Sequence, residues 1–279
     1  GTYMATISQM TGAARTIYSS LYANNSRTDA TAALFGGSQA QKRRGSSLYS
    51  MQYRAAESSA QELRSIMDIA NQARNLRKSY AETSSKFYAE YDSNMKDLRS
   101  AAGKLSGTDF QLDKSDIKTN ADGSKTYSDR LKNAISNVKD LVNEYNETSD
   151  FLRENKSLGK GVQQLTTEFS DTTYKADSYA KMGITVDAKT GKMSVNESRL
   201  ARALTDSPAQ SEAILGKGGL AGRADRHAQY AQMARSRVIP SMEQAIGGQL
   251  DYAANMLNGR SLPTMQRYSN ILNLFSIYV

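Results

Sequence analysis

Cysteine and tryptophan are absent from the 279-residue chain, which has a single histidine, His227. Without cysteine the chain can form no disulfide and do no thiol chemistry. One histidine excludes a metal site built from several histidines, and we expect His227, on a polar helix face, to be a surface residue. The sequence also lacks a P-loop and a G-x-G-x-x-G motif. We therefore expect no catalytic residues, no cofactor, no bound metal and no small-molecule substrate.

Proline is scarce, with 3 residues, and hydrophobic residues make up 39% of the chain. This composition favours long, partly exposed helices over a thick core. No apolar run reaches the roughly 18 residues of a membrane span, and the N-terminal residues lack the apolar region of a cleaved signal peptide. The missing cysteine suits a protein that leaves the cell without disulfide formation, although cytosolic proteins also can lack cysteine.

Charge is unbalanced, with 36 Lys and Arg against 28 Asp and Glu and a formal net charge of +8. No block of five like charges occurs, and the densest cluster is Lys42-Arg43-Arg44 between glycines. A solvated linker explains this cluster most simply. The alternative is a basic module that binds nucleic acid or a membrane surface, using this cluster together with Arg74, Arg77 and Lys78. No nucleic-acid-binding motif supports it, so nucleic acid is the less favoured partner.

Helical spacing dominates most of the chain. From Ser47 to Leu105 apolar residues recur every three or four positions, and neither proline nor glycine interrupts residues 47–102. A second apolar stripe runs from Ser128 to Asn155 and can pack antiparallel on the first, as helices joined by a connector usually do. The connector carries Asp122-Gly123, a signal for a small β turn. The predicted fold is mainly α, a long antiparallel coiled-coil-like helical rod with a small embedded β-hairpin.

That hairpin lies where the helical spacing gives way to alternation. Ile184 and Val186 alternate with polar residues, Met193 and Val195 do the same, and a polar turn containing Gly191 separates the two pairs. The pattern predicts a β-hairpin with Gly191 at a positive φ. The residues that define it are Gly183, Ile184, Val186, Gly191, Met193 and Val195.

Helical spacing resumes after the hairpin. Asn196 or Ser198 is expected to cap a short helical unit that contains Pro208. A last helix is predicted from Leu220, with an apolar stripe through Ala224, Tyr230, Met233 and Val238 to Leu257 and a kink or start at Pro240. The C-terminal tail is apolar, and we expect it to bury against a partner. The predicted assembly interface consists of Leu250, Leu257, Ile271, Leu272, Leu274 and Phe275.

Four segments follow from these patterns. Residues 1–46 form a flexible segment for export and assembly, and residues 47–182 the helical hairpin rod. Residues 183–219 form the β-hairpin with a short helix unit, and residues 220–279 a C-terminal helical leg.

Residues 128–225 resemble the C-terminal half of the flagellar filament cap family, the hook-associated protein 2 or FliD-type proteins. The residues that carry the resemblance are Leu131, Val138, Leu141, Val142, Tyr145, Asn146, 183–187, 191–196, Leu200, Ala203, Leu204, Pro208 and 219–221. The resemblance implies a structural subunit of the bacterial flagellum, located outside the cell and exported without a cleaved signal peptide. The partners it implies are copies of itself, flagellin or other hook-associated proteins, and an export chaperone.

The chain departs from the family in two ways. Residues 47–105 do not look like the family's usual start, and only residues 106–126 stand where the family carries large β-rich head domains. The expectation is therefore a minimal, headless cap-like or hook-associated protein that assembles through helical coiled-coil legs. A flagellin-like filament or sheath subunit is the alternative within the same class.

Overall fold

The computed structural model describes residues 48–241 and 244, and it describes side chains from residue 71 onward, except residue 73. The chain divides into two compact units. One contains residues up to 85 together with those from 240 onward, and the other contains residues 86–239. Each unit is described separately.

The described part of the chain is mainly helical, as predicted. Its helices are α1 (Leu48–Ser106), α2 (Asp129–Glu154), α3 (Lys160–Glu168), α4 (Ala176–Lys181), α5 (Glu197–Asp206), α6 (Pro208–Leu215) and α7 (Leu220–Met233). The strands are β1 (Ile117–Thr119), β2 (Lys125–Tyr127), β3 (Ile184–Val186) and β4 (Met193–Val195). Short 3-10 turns are formed by Lys114–Asp116, Lys156–Leu158, Asp171–Lys175 and Arg235–Arg237. None of the described helices is long and apolar enough to cross a membrane.

Helix α1 belongs to both units. In the first unit the Tyr80 hydroxyl donates a hydrogen bond to the Pro240 carbonyl. In the second unit its predicted stripe is fully buried, at Phe87, Tyr91, Met95, Leu98, Ala102 and Leu105. These residues step by three and four, so they share one side of the helix.

Helix α2 begins where the sequence predicts. The Ser128 hydroxyl accepts a hydrogen bond from the Leu131 amide at 3.2 Å, which satisfies one of the free N–H groups of the first turn. Phe87 stacks on Phe151 with ring centroids 5.3 Å apart. Past the end of α1, Thr108 accepts a hydrogen bond from the Asn137 side chain at 2.9 Å. Phe87 thus meets the end of α2, whereas Thr108, just after α1, meets a residue nearer the start of α2. The two helices therefore run antiparallel within residues 86–239.

The connector between α1 and α2 forms the predicted β turn. Strands β1 and β2 pair antiparallel, with Ile117 opposite Tyr127 and Thr119 opposite Lys125. Gly123 has φ 84°, a conformation that favours glycine. This hairpin is exposed along most of its length.

The predicted short helical unit is present, and one predicted helix boundary, at the end of the last described helix, is wrong. The unit containing Pro208 is two helices, because α5 ends at Asp206 and α6 begins with Pro208 itself. Proline fits the first helical position, where no backbone N–H is needed. Helix α7 ends at Met233 and a 3-10 turn follows, so no continuous helix runs from Leu220 through Val238. A helix start after Pro240 lies outside the described residues.

The buried face of α7 includes Ala224 of the predicted stripe but not Tyr230 or Met233. Tyr230 is 45% exposed and Met233 is 75% exposed. The buried positions are filled by small residues, Ala221, Gly222, Ala224, Ala228 and Ala231, together with Leu220. Small side chains let a helix backbone come close to its neighbours, which the apolar spacing of larger residues does not reveal.

Candidate functional site

The predicted hairpin is present as strands β3 and β4. Ile184 lies opposite Val195 and Val186 opposite Met193. Gly191 has φ 75°, as the turn pattern predicts. The alternation also holds, because Ile184 and Met193 are buried while the other two apolar residues are half-buried.

A carboxylate organises the turn of this hairpin. Asp187 Oδ1 accepts hydrogen bonds from the backbone amides of Lys189 at 2.9 Å and Thr190 at 2.8 Å. These bonds lower the pKa of Asp187 below its usual value, the Thr190 amide contributing most. The Asp187 amide donates to the Lys192 carbonyl at 2.8 Å, which closes the turn. The turn is thus built by local contacts of the kind short polar side chains provide.

Gly183 precedes the hairpin and has φ 71°. A Cβ at this position would lie 2.7 Å from the Cβ of Arg199 and 2.9 Å from the Leu200 amide nitrogen. Both the backbone conformation and the close approach of α5 therefore require glycine. Asn196 then caps α5 by accepting from the Arg199 amide at 3.1 Å, one of the two caps predicted.

Helix α2 holds the hairpin through three side chains. The side-chain amide of Asn146 donates a hydrogen bond to the Met193 carbonyl at 2.8 Å and accepts one from the Met193 backbone N–H at 2.9 Å. Asp150 forms an ion pair with Lys192 at 2.9 Å. Arg153 donates to the Thr190 carbonyl at 3.1 Å. The hairpin is therefore fastened along one side of α2 rather than projecting from it.

A second polar centre surrounds Asp171. Its Oδ2 accepts hydrogen bonds from Arg223 Nη2 and His227 Nε2, each at 2.8 Å. Its Oδ1 accepts from the Tyr145 hydroxyl at 3.0 Å. Asp171 thus joins its own 3-10 turn to α2 and to α7.

The pKa values at this centre follow from burial and hydrogen bonding. Burial by itself would raise the pKa of Asp171, but the hydrogen bonds from His227 and Arg223 outweigh it and hold the pKa at about 2. Burial raises the pKa of Tyr145 well above its usual value, and the Asp171 charge adds to the rise. Asp171 is therefore an ionised, fully engaged carboxylate, suited to joining segments rather than to moving protons.

The expectation that His227 is a surface residue is wrong. Its side chain is 23% exposed, it bonds to Asp171, and its ring centroid lies 5.4 Å from that of Phe169. The helix face is polar because it meets the half-buried Asp171 carboxylate as well as solvent.

Two cavities lie within residues 86–239, and the first is lined by residues of this centre. One, of about 390 Å³, is lined by Asp171, Lys175, Tyr179 and Ile214 and by the α7 residues Arg223, Arg226 and His227, among others. The other, of about 300 Å³, is lined mainly by Lys181, Arg199, Arg202, Asp206 and Gln210. Cationic side chains outnumber carboxylates in both.

Residues 71–241 bring together no three His, Asp or Glu side chains that could hold a metal ion. The assembly residues Leu250, Leu257, Ile271, Leu272, Leu274 and Phe275 lie outside the described residues, as do Lys42, Arg43 and Arg44. Of the other cations proposed for nucleic acid, Lys78 is exposed but Arg77 is only 9% exposed. The Nε atoms of Arg74 and Arg77 are buried, so these three residues do not form an open basic patch.

Sequence reasoning missed Asn146, Asp171 and Arg223 as organising residues. Tyr145-Asn146 is part of the family resemblance, but no local pattern gives either residue a role. Asp171 meets partners far away in the sequence, and no spacing rule connects them. In comparisons with protein families, curated proteins and solved structures, nothing matches this chain.

Proposed function

We propose that the protein is a non-enzymatic structural subunit of the bacterial flagellum, a minimal filament-cap-like or hook-associated protein. One observation carries the proposal. The Asn146 amide and the Met193 backbone join the two segments on which the family resemblance rests, 131–146 and 183–196, into one body. Each segment carries part of the family resemblance, and the contact between the two segments supports reading them as parts of one unit.

The helices support an assembly role. The buried stripe of α1 and the antiparallel α2 are suited to the base of a coiled-coil-like rod. In this proposal the rod and the apolar C-terminal leg bury their free faces between neighbouring copies and against flagellin or other hook-associated proteins. The protein would work outside the cell, reach the flagellum without cleavage of a signal peptide, and be held unfolded by an export chaperone before export.

Electron microscopy of flagella tests the role directly. We expect that deleting the gene for this chain from the organism that encodes it shortens or removes filaments, or releases flagellin into the medium, and that the wild-type gene restores them. Normal filaments and normal swimming in the deletion strain would contradict the proposal. Long filaments grown from the purified chain alone would favour a flagellin-like subunit instead.

Truncation tests the mode of assembly. A chain ending before Leu262 lacks four of the six predicted interface residues, so we expect it to stay soluble and to lose assembly by light scattering. A control with these four residues retained and exposed loop residues changed should assemble normally. Full assembly of the truncated chain would contradict assembly through the C-terminal leg.

A further inference from the structure

Residues 86–239 carry a cluster of cations that lack partners of their own. Lys175, Lys181, Arg199, Arg202 and Arg226 line the two cavities, and all five are exposed. We call them the basic surface. None of the five forms an ion pair with a described residue, whereas Arg223 and His227 are engaged by Asp171. The only other carboxylate lining the two cavities is that of Asp206.

The two cavities are lined in part by the same two helices. Helix α4 lines the first with Tyr179 and the second with Lys181, and α6 lines the first with Ile214 and the second with Gln210. The same two helices therefore border both cavities, and the five cations are distributed over the walls of these two cavities. Such a surface attracts an acidic partner and speeds its approach.

An acidic surface lies on other helices of the same unit. Asp140, Glu144 and Glu147 follow each other at spacings of four and three on α2 and so share one side of it. Asp97 of α1 lies close to them. Burial contributes most to the raised pKa of Glu144, and the charges of Glu147, Asp97 and Asp140 raise this pKa further. We call these four residues the acidic surface.

The acidic surface also lacks ion pairs with the described residues. None of its four carboxylates forms an ion pair within the described part of the chain, and the neighbouring Lys139 is paired with Glu197. Like charges at these spacings cost folding stability. A cationic partner would relieve that repulsion, and the chain itself displays one.

We propose that the acidic surface of one copy docks on the basic surface of the next. This inference rests on the self-assembly put forward above, and it adds which surfaces meet. Because an acidic surface meets a basic one, two joined copies still have one acidic surface and one basic surface free. Further copies can therefore add head to tail and form a ring or a row. The contact would order and orient copies, while the apolar legs supply most of the affinity.

Charge reversal with exchange tests this. We expect Arg199→Glu with Arg202→Glu, and separately Asp140→Lys with Glu147→Lys, to weaken self-association of the full chain by about tenfold or more in sedimentation. Mixing the two variants should restore it, because the native acidic surface of one then meets the native basic surface of the other. The chain carrying all four changes should also associate with itself.

The control reverses Lys118 and Lys125, which are exposed on the β1–β2 hairpin and in no ion pair. It should associate like the wild type. Raising salt from about 0.1 M to about 1 M, which shortens the screening length from about 10 Å to about 3 Å, should weaken the wild type and leave the Arg199/Arg202 variant little changed. Circular dichroism checks that each variant is folded.

The outcomes separate this inference from the proposed function. If the wild type assembles and both charge-reversal variants assemble equally well, the inference alone is overturned. A wild type that stays monomeric at every concentration overturns both. Salt-sensitive binding of duplex DNA that is lost in the Arg199/Arg202 variant, with self-association unchanged, overturns the inference in favour of nucleic acid.

Discussion

Asn146 pairs with Met193 as a strand would, giving and receiving one backbone hydrogen bond with the same residue. The side-chain amide of a helix thereby completes the edge of the β3–β4 hairpin. A two-stranded hairpin is marginal by itself, so its attachment to α2 stabilises both its shape and its position.

Replacing Asn146 tests this attachment. Asn146→Ala leaves the Met193 amide and carbonyl without partners, so we expect a loss of about 1–3 kcal/mol in the free energy of unfolding, measured by urea titration. The control is Asn143→Ala on the same helix, at an exposed position. Equal stability of the two variants would show that the hairpin does not depend on the amide.

Asp171 predicts a sensitivity to acid. Its pKa is about 2 in the folded chain, below the roughly 3.9 of an unfolded aspartate. The stabilisation it provides is therefore complete above about pH 4 and is lost as the pH falls through about 2. We expect Asp171→Asn to be less stable than the wild type at pH 7 by on the order of 2 kcal/mol, with the difference shrinking toward pH 2.

The control for Asp171 is Asp177→Asn, an exposed position without an ion pair. Its free energy of unfolding should follow that of the wild type across the same pH range. A difference between Asp171→Asn and the wild type that stays constant down to pH 2 would contradict the role of the ionised carboxylate.

Two glycines predict opposite effects of the same substitution. A Cβ on Gly161 would lie 2.5 Å from the Val238 carbonyl oxygen, whereas one on Gly103 would meet nothing within 4 Å. We expect Gly161→Ala to lower stability by about 1–3 kcal/mol. Gly103→Ala, within α1, should raise it by about 0.5–1 kcal/mol. Thermal unfolding of both variants checks the contrast, and shifts of the same sign would refute it.

Two tyrosines of α1 bond to the end of α7 and to the 3-10 turn that follows it, and they differ in burial. The buried Tyr91 donates to the Ala231 carbonyl, and the half-buried Tyr88 donates to the Arg235 carbonyl at 2.8 Å. Removal of a hydroxyl costs more where water cannot replace it. We expect Tyr91→Phe to cost about 1–2 kcal/mol and Tyr88→Phe less, by urea titration. The reverse order would contradict this account.

Local signals explain what the sequence could predict. The start of α2 near Ser128, the apolar stripe of α2 and the turn glycine Gly191 each depend on residues a few positions apart. Their elements appear where they are expected. The β1–β2 hairpin likewise follows from a turn signal at Gly123.

Features set by distant residues could not be predicted. Near the end of α7 the Tyr91 hydroxyl donates to the Ala231 carbonyl, and the Tyr88 hydroxyl donates to the Arg235 carbonyl in the 3-10 turn that follows. Neither tyrosine is marked as a partner by its surroundings in the sequence. The Asp171 centre gathers Tyr145, Arg223 and His227 from two other helices. Such contacts depend on tertiary packing, which overrides the local preference that apolar spacing records.

The alanine face of α7 gives this helix two sides that differ in how well they tolerate substitution. At Ala224, Ala228 and Ala231 any added methyl group meets packed atoms, so drift can hardly change these positions. Tyr230 and Met233, which are exposed, can be exchanged at little thermodynamic cost. In a set of diverged sequences α7 would therefore be recognisable by its smallest residues and not by its largest.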